Sequence, residues 1–187
     1  VGAINPGQIL IEIVSFANPY PFGKQTIKCF LTDYLEKAGR EDLIEEYGMQ
    51  SFEINVLAKS RTATEKLVSL IRHSLATDYI SELKAKIRHF YDLHFLWNDP
   101  ESKAYLLNDD FRNEFNALLS SDQARFKEPE GWSDKAVSDS PLINSFDDVW
   151  TELSRTYSKE LPELAYQTIP SSEDVAASFK ELSNLLI

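Results

Sequence analysis

Apolar positions along this chain follow two different periods. Near the start they recur at every second residue. Gln8 to Phe16, QILIEIVSF, sets Ile9, Ile11 and Ile13 on one face and Leu10, Glu12, Val14 and Phe16 on the other, which predicts an interior strand apolar on both sides. Ser51 to Ala58 alternates Phe52, Ile54, Val56 and Ala58 against Ser51, Glu53, Asn55 and Leu57, predicting a second, half-exposed strand. Between them NPYPFG breaks the chain, and Thr26 to Glu46 reads as helix, turned at Gly39 and closed at Gly48.

From Thr62 onward the period lengthens to that of a helix. Leu67, Leu70, Ile71, Ser74 and Leu75 form one stripe, and Ile80, Leu83, Ile87, Phe90, His94 and Trp97 form a second; the two helices are expected to pack together. Asp109 to Phe126 predicts a third helix, with Phe111, Phe115, Leu118 and Leu119 inward. Lys127 to Pro141 is a polar loop rich in turn residues, with Trp132 as its anchor. Helices over Ser145 to Ser158 and Ser171 to Leu186 complete the set, the latter opened by a Ser171 and Asp174 capping pattern. The fold class predicted is α+β: a partial sheet in residues 1–58, then a mainly α-helical domain over 59–187.

Composition adds limits. With 187 residues, 43% of them hydrophobic and 12% aromatic, the chain can bury a real core. Cys29 is the single cysteine, which excludes an internal disulfide; in a helical stripe with no activating base it reads as an inert core thiol. No signal peptide opens the chain and no apolar run has membrane-spanning length, so a cytoplasmic protein with no membrane partner is expected. The chain opens on Val1 and its one methionine, Met49, is internal, which reads as a processed or cut fragment.

Charge changes the picture more. The net charge of −11 argues against wholesale nucleic-acid wrapping, yet residues 57–89 carry seven basic and three acidic side chains, against four and eight before them and eight and nineteen after. The cations are Lys59, Arg61, Lys66, Arg72, Lys84, Lys86 and Arg88. Such a cluster is either a solvated helix face or an anion and phosphate-backbone site. Thr62 and Glu65 match a capping box, which starts a helix at Thr62 and puts Lys66 in its first turn. A cation there meets the positive end of the helix dipole, and a bound anion would compensate it.

Three further groups are candidates for chemistry. Glu12 stands in a row of large hydrophobes, where a carboxylate needs a cation, a metal or the strand's wet end. Arg88 and Asp92, four apart, can pair along their helix, while Phe90, Tyr91, Leu93 and Phe95 enclose Asp92. His89 and His94 are five apart, the wrong spacing for two zinc ligands on one helix face, and His94 reads as a hydrogen-bonded core histidine. No phosphate-binding glycine loop or nucleophile elbow is present.

Taken together, ILIEIVSF, FEINVLAKSRTATEKLVSLIRHS and KIRHFYDLHFL resemble the nucleotidyltransferase toxins of the AbiEii/AbiGii abortive-infection family. The shared order is a glutamate-bearing strand, a second strand, a helix opening with Thr-x-x-Glu-Lys, and a helix carrying Arg-x-x-x-Asp-Leu. The resemblance implies a partial nucleotidyltransferase-like sheet followed by a helical domain. It implies an enzyme of a bacterial toxin–antitoxin system that transfers a nucleotide from a nucleoside triphosphate to an RNA, possibly tRNA, or protein acceptor, with Mg2+. By position, Lys66 and Asp92 are the implied catalytic residues. Lys66, Thr62 and Arg61 are the implied nucleotide contacts, Arg72, Lys84, Lys86 and Arg88 the RNA contacts, and Glu12 the metal carboxylate. The family's Gly-Ser turn followed by Asp-x-Asp does not occur in these residues, so the chain alone is expected to be inactive. The competing expectation is a non-enzymatic helical module that engages an antitoxin or another protein.

Overall fold

The computed structural model describes residues 21–165 and 168–187; the predicted strand at Gln8 to Phe16, with Glu12, lies outside them. The fold is α+β, a two-stranded antiparallel sheet followed by helices. Two compact units divide near residue 61, and each is considered in turn.

In the first unit, β1 (Phe22–Ile27) pairs with β2 (Phe52–Leu57), Phe22 opposite Leu57 and Ile27 opposite Phe52. β1 corrects the expectation that helix begins at Thr26. Phe22, Gln25, Thr26 and Ile27 suit a pleated strand, and strand continues through Ile27 before Cys29 can cap a helix. The second strand lies where the alternation placed it, but Phe52, Ile54, Val56 and Leu57 are all exposed, so neither face is shielded. Between the strands stand α1 (Phe30–Lys37) and α2 (Glu41–Glu46), which bury Thr32, Leu35 and Ile44. Gly39 turns the chain between them at φ 67° and Gly48 ends the second at φ 62°, a backbone region where a Cβ is costly. The Thr32 hydroxyl donates to the Met49 carbonyl at 2.7 Å, tying α1 to the segment that enters β2.

Cys29 corrects a second expectation. It is exposed and acts as the N-cap of α1, its Sγ accepting from the Thr32 amide at 3.4 Å and lying 3.0 Å from the Thr32 hydroxyl. Those contacts hold its thiol pKa below the usual range.

The second unit is helical: most of α3 (Lys59–Ser74), then α4 (Tyr79–Ala85), α5 (Ile87–Asn98), α6 (Pro100–Leu106), α7 (Asp109–Arg125), α8 (Pro141–Asn144), α9 (Phe146–Leu164) and α10 (Ser172–Ser183). The single stripe from Ile80 to Trp97 is thus carried by two helices, α4 and α5, broken at Lys86. Helix α6 was not foreseen, although Asp99 caps it and Pro100 occupies its first turn. Helix α10 opens as predicted, with the Ser171 hydroxyl accepting from the Asp174 amide at 3.1 Å.

Helix α5 is the centre of the core. Phe90 meets Phe179 of α10 at 4.9 Å and Trp150 of α9 at 5.2 Å, and Phe146 stacks on Phe179 at 4.9 Å. Burying such a ring contributes about 1.5–3 kcal/mol, with a further 0.5–1.5 kcal/mol from well-placed aromatic pairs. Polar bonds fix the same seam: His94 Nδ1 lies 2.8 Å from the Ser178 hydroxyl and Trp97 Nε1 donates to Glu181 at 2.9 Å. The reading of His94 as a hydrogen-bonded core residue matches this geometry. Phe111, Phe115, Leu118 and Leu119 of α7 point inward as their spacing predicts.

The polar loop after α7 is anchored by Trp132. Its indole is fully buried and donates to the Phe126 carbonyl at 3.0 Å. The Lys135 ammonium donates to the Leu75 carbonyl just past the end of α3, and the buried Ser74 and Ser140 hydroxyls meet at 2.6 Å.

Candidate functional site

Helix α3 begins at Lys59, not Thr62, and this moves the candidate lysine. Lys66 lies seven residues after Lys59, about two turns into the helix, and Thr62 is itself helical. The capping-box reading fails because an N-cap residue needs non-helical backbone angles. The electrostatic conflict expected from a first-turn lysine is therefore absent.

The anion that meets Lys66 is a side-chain carboxylate of the protein itself. Its Nζ donates to Asp92 Oδ2 of α5 at 2.7 Å, and the two side chains are 21% and 32% exposed. Asp92 thus pairs across helices with Lys66, where the i,i+4 reading paired it with Arg88. The neighbouring chain turns carry the rest of a polar strip. His73 is seven residues on from Lys66 and so shares its face of α3; its Nδ1 lies 2.7 Å from Glu82 Oε2 of α4. His89 precedes Asp92 by three residues on α5 and therefore neighbours it on the helix surface.

His89 has unusual electrostatics. Burial first, then the charges of Lys66, Lys86, His73 and Arg88, press its pKa down to about 3, so its imidazole is neutral at ordinary pH. Burial also lowers the pKa of His73, against the pull of Glu82. Lys66, Lys86 and Arg88 all act on His89 in the same direction, while Asp92 and Glu82 supply the strip's negative charge.

The other predicted contacts are placed as follows. Arg61 and Thr62 precede Lys66 on α3 and are partly buried. Arg88 is exposed, and Lys84 and Lys86 are partly buried at the end of α4 and the break after it. Arg72 is engaged elsewhere: its Nε donates to the Glu128 carbonyl at 2.8 Å and its guanidinium lies 4.3 Å from the Phe126 ring centre and 5.5 Å from that of Trp132. Glu12 lies outside the described residues. Among the described residues no group of three His, Cys, Asp or Glu could hold a metal ion, and Asp92 is tied to Lys66, so these residues do not by themselves form a Mg2+ site. Sequence reasoning did not single out the burial of His89, whose signal lay only in its three-residue spacing from Asp92.

Two open depressions lie apart from this strip. One of about 430 Å3 is lined by residues of α1 and α2, among them Thr32, Glu36 and Glu45. The other, of about 520 Å3, is lined by residues from Ile143 to Asp148 with Lys180, Ser183 and Asn184. Neither is lined by Lys66, His89 or Asp92. No helix among the described residues is long and apolar enough to cross a membrane.

Comparison with known families defines the class. The profile described as nucleotidyl transferase AbiEii toxin, Type IV TA system, matches residues 2–179 of the 187. The chain belongs to that family of toxin–antitoxin nucleotidyltransferases. Neither the curated proteins nor the solved structures give a match.

Proposed function

We propose that the Lys66–Asp92 pair marks the nucleotide end of a site that transfers a nucleotide from a nucleoside triphosphate to an RNA acceptor. The observation that carries this reading is the pair itself. The two residues that the resemblance assigns to catalysis, 26 positions apart, meet at 2.7 Å with both side chains partly open to solvent. Phosphoryl transfer asks a protein mainly for positioning and charge neutralisation. Lys66 supplies the charge for the phosphates, with Thr62 and Arg61 before it on the same helix. A triphosphate competes with Asp92 for the ammonium, and its binding frees the carboxylate beside the reacting groups.

In the transfer the acceptor hydroxyl oxygen bonds to the α-phosphorus, pyrophosphate leaves, and the hydroxyl proton passes to Asp92. Lys84, Lys86 and Arg88 form the basic surface for the RNA; Arg72, held by the loop, contributes less. Glu12 and Mg2+ belong to the same reading through the family, and an antitoxin is the expected protein partner. Incubation with α-labelled nucleoside triphosphates, Mg2+ and total RNA tests it. In a chain that also carries the family's Asp-x-Asp motif, label should enter RNA, and it should not when that chain carries Lys66→Ala or Asp92→Ala; equal incorporation by all three rejects the site.

The non-enzymatic reading draws support from the exposed apolar side chains of the first unit, Phe22, Phe30 and Phe52 among them. Antitoxin capture by a protein that binds no nucleotide would favour it.

A further inference from the structure

Phe95 is 50% exposed, whereas Phe90 and Trp97 of the same helix are buried in the core. Its ring is held on two sides: Tyr91, four residues before it, packs against it at 4.9 Å and 62°, and His94 at 5.5 Å and 86°. His94 is in turn fixed by the Ser178 hydroxyl at 2.8 Å. The fold thus sets the position of an aromatic surface and leaves half of it open to solvent. Phe95 shares a row on α5 with Asp92, three residues before it, and with Arg88, seven before it. Arg88 is exposed and Asp92 partly so, which makes this row the wet face of the helix. From Lys84 to Phe95 the chain carries three basic side chains and one acidic, and the acid, Asp92, is engaged by Lys66. An open ring in a basic row fits a ligand that offers both negative charge and flat aromatic faces. Single-stranded RNA offers both, through its phosphates and its bases.

We propose that Phe95, backed by Tyr91, is the platform on which the terminal base of a single-stranded RNA acceptor stacks, with Arg88 on its phosphates. The inference rests on the transfer reading above, in which Asp92 takes the proton of the acceptor hydroxyl. Residues three apart on a helix are neighbours, about 5–6 Å between Cβ atoms, so a base stacked on Phe95 brings its own ribose toward that carboxylate. The base is the acceptor's because the incoming nucleotide is held by the other member of the pair, Lys66. Every base has a π-face, so Phe95 positions an RNA end without selecting its sequence.

Fluorescence anisotropy with two labelled RNAs tests the assignment: a short single strand of mixed sequence, and the same strand with the base removed from its 3′-terminal nucleotide. Phe95→Ala should bind the first strand roughly tenfold more weakly than the unaltered protein, and Phe95→Trp within about threefold of it. The unaltered protein and Phe95→Ala should bind the abasic-ended strand equally, since the ring then has nothing to stack on. An unchanged circular dichroism spectrum reports that the variants are folded. Equal weakening on both strands, or weakening on neither, overturns the inference and leaves the nucleotide site standing. So does a calorimetric loss of ATP binding by Phe95→Ala with RNA binding unchanged, which would give the ring to the incoming nucleotide. An unaltered protein that binds ATP but no RNA overturns the inference alone, and one that binds neither overturns the reading beneath it as well.

Discussion

The Lys66 ammonium and the Asp92 carboxylate join α3 to α5 by a 2.7 Å hydrogen bond, and neither side chain is sealed from water. A pair in that setting contributes little to folding, on the order of 1 kcal/mol or less, because both ions keep much of their hydration. Lys66→Ala and Asp92→Ala should each lower stability by about that amount in urea titrations. A loss near 4 kcal/mol would mark a structural ion pair, since breaking a buried one costs 3–5 kcal/mol.

The aromatic cluster around α5 should behave differently. Phe90 is 1% exposed and touches Phe179 and Trp150, so Phe90→Ala leaves a cavity that its neighbours cannot close. The expected cost is about 3–5 kcal/mol by chemical denaturation. A cost under 1 kcal/mol would show that the cluster is loosely packed.

Arg72 holds the loop that follows α7 through the Glu128 carbonyl and the Phe126 and Trp132 rings. Arg72→Ala should destabilise by about 1–3 kcal/mol, combining a charged hydrogen bond with a cation–π contact. Limited proteolysis should then cut first between residues 127 and 140. Unchanged cleavage would mean that Trp132 alone retains the loop.

Acid should weaken the fold through His89. Its pKa is about 3 in the folded protein and near 6.5 when unfolded, and that of His73 is lowered in the same direction. Between those values the unfolded chain binds protons that the folded chain does not, so stability is full above about pH 6.5 and falls as pH drops toward 3. At pH 5 the His89 share is up to about 2 kcal/mol, at 1.36 kcal/mol per pH unit. His89→Phe should lose that much less stability than the unaltered protein between pH 7.5 and pH 5. Equal losses would assign the acid sensitivity to other groups.

The helical unit was legible because its burial is periodic: Phe111, Phe115 and Leu118 lie inward where their spacing puts them. The turn at Gly39 was legible for a local reason, since its positive φ favours the residue without a Cβ. The start of α3 was not. Helix begins at Lys59, two residues after β2 ends at Leu57, and Thr62 with Glu65 imitates a capping box from inside a helix already under way. Strand β1 was hidden between a proline-rich break and a helix, with no buried face to impose alternation. At the site, Lys66 and Asp92 were both readable as motif residues. Their contact was not, because a bond across 26 positions leaves no local periodicity, and the local alternative, Arg88 with Asp92, fitted the i,i+4 rule.

The most direct measurement is nucleoside triphosphate affinity, by titration calorimetry, for the unaltered protein, Lys66→Ala and Asp92→Asn. Removing the lysine should abolish measurable binding. Removing the Asp92 charge should release the ammonium and tighten binding several-fold. Unchanged affinity in both variants would contradict the claim that this pair is where the nucleotide binds.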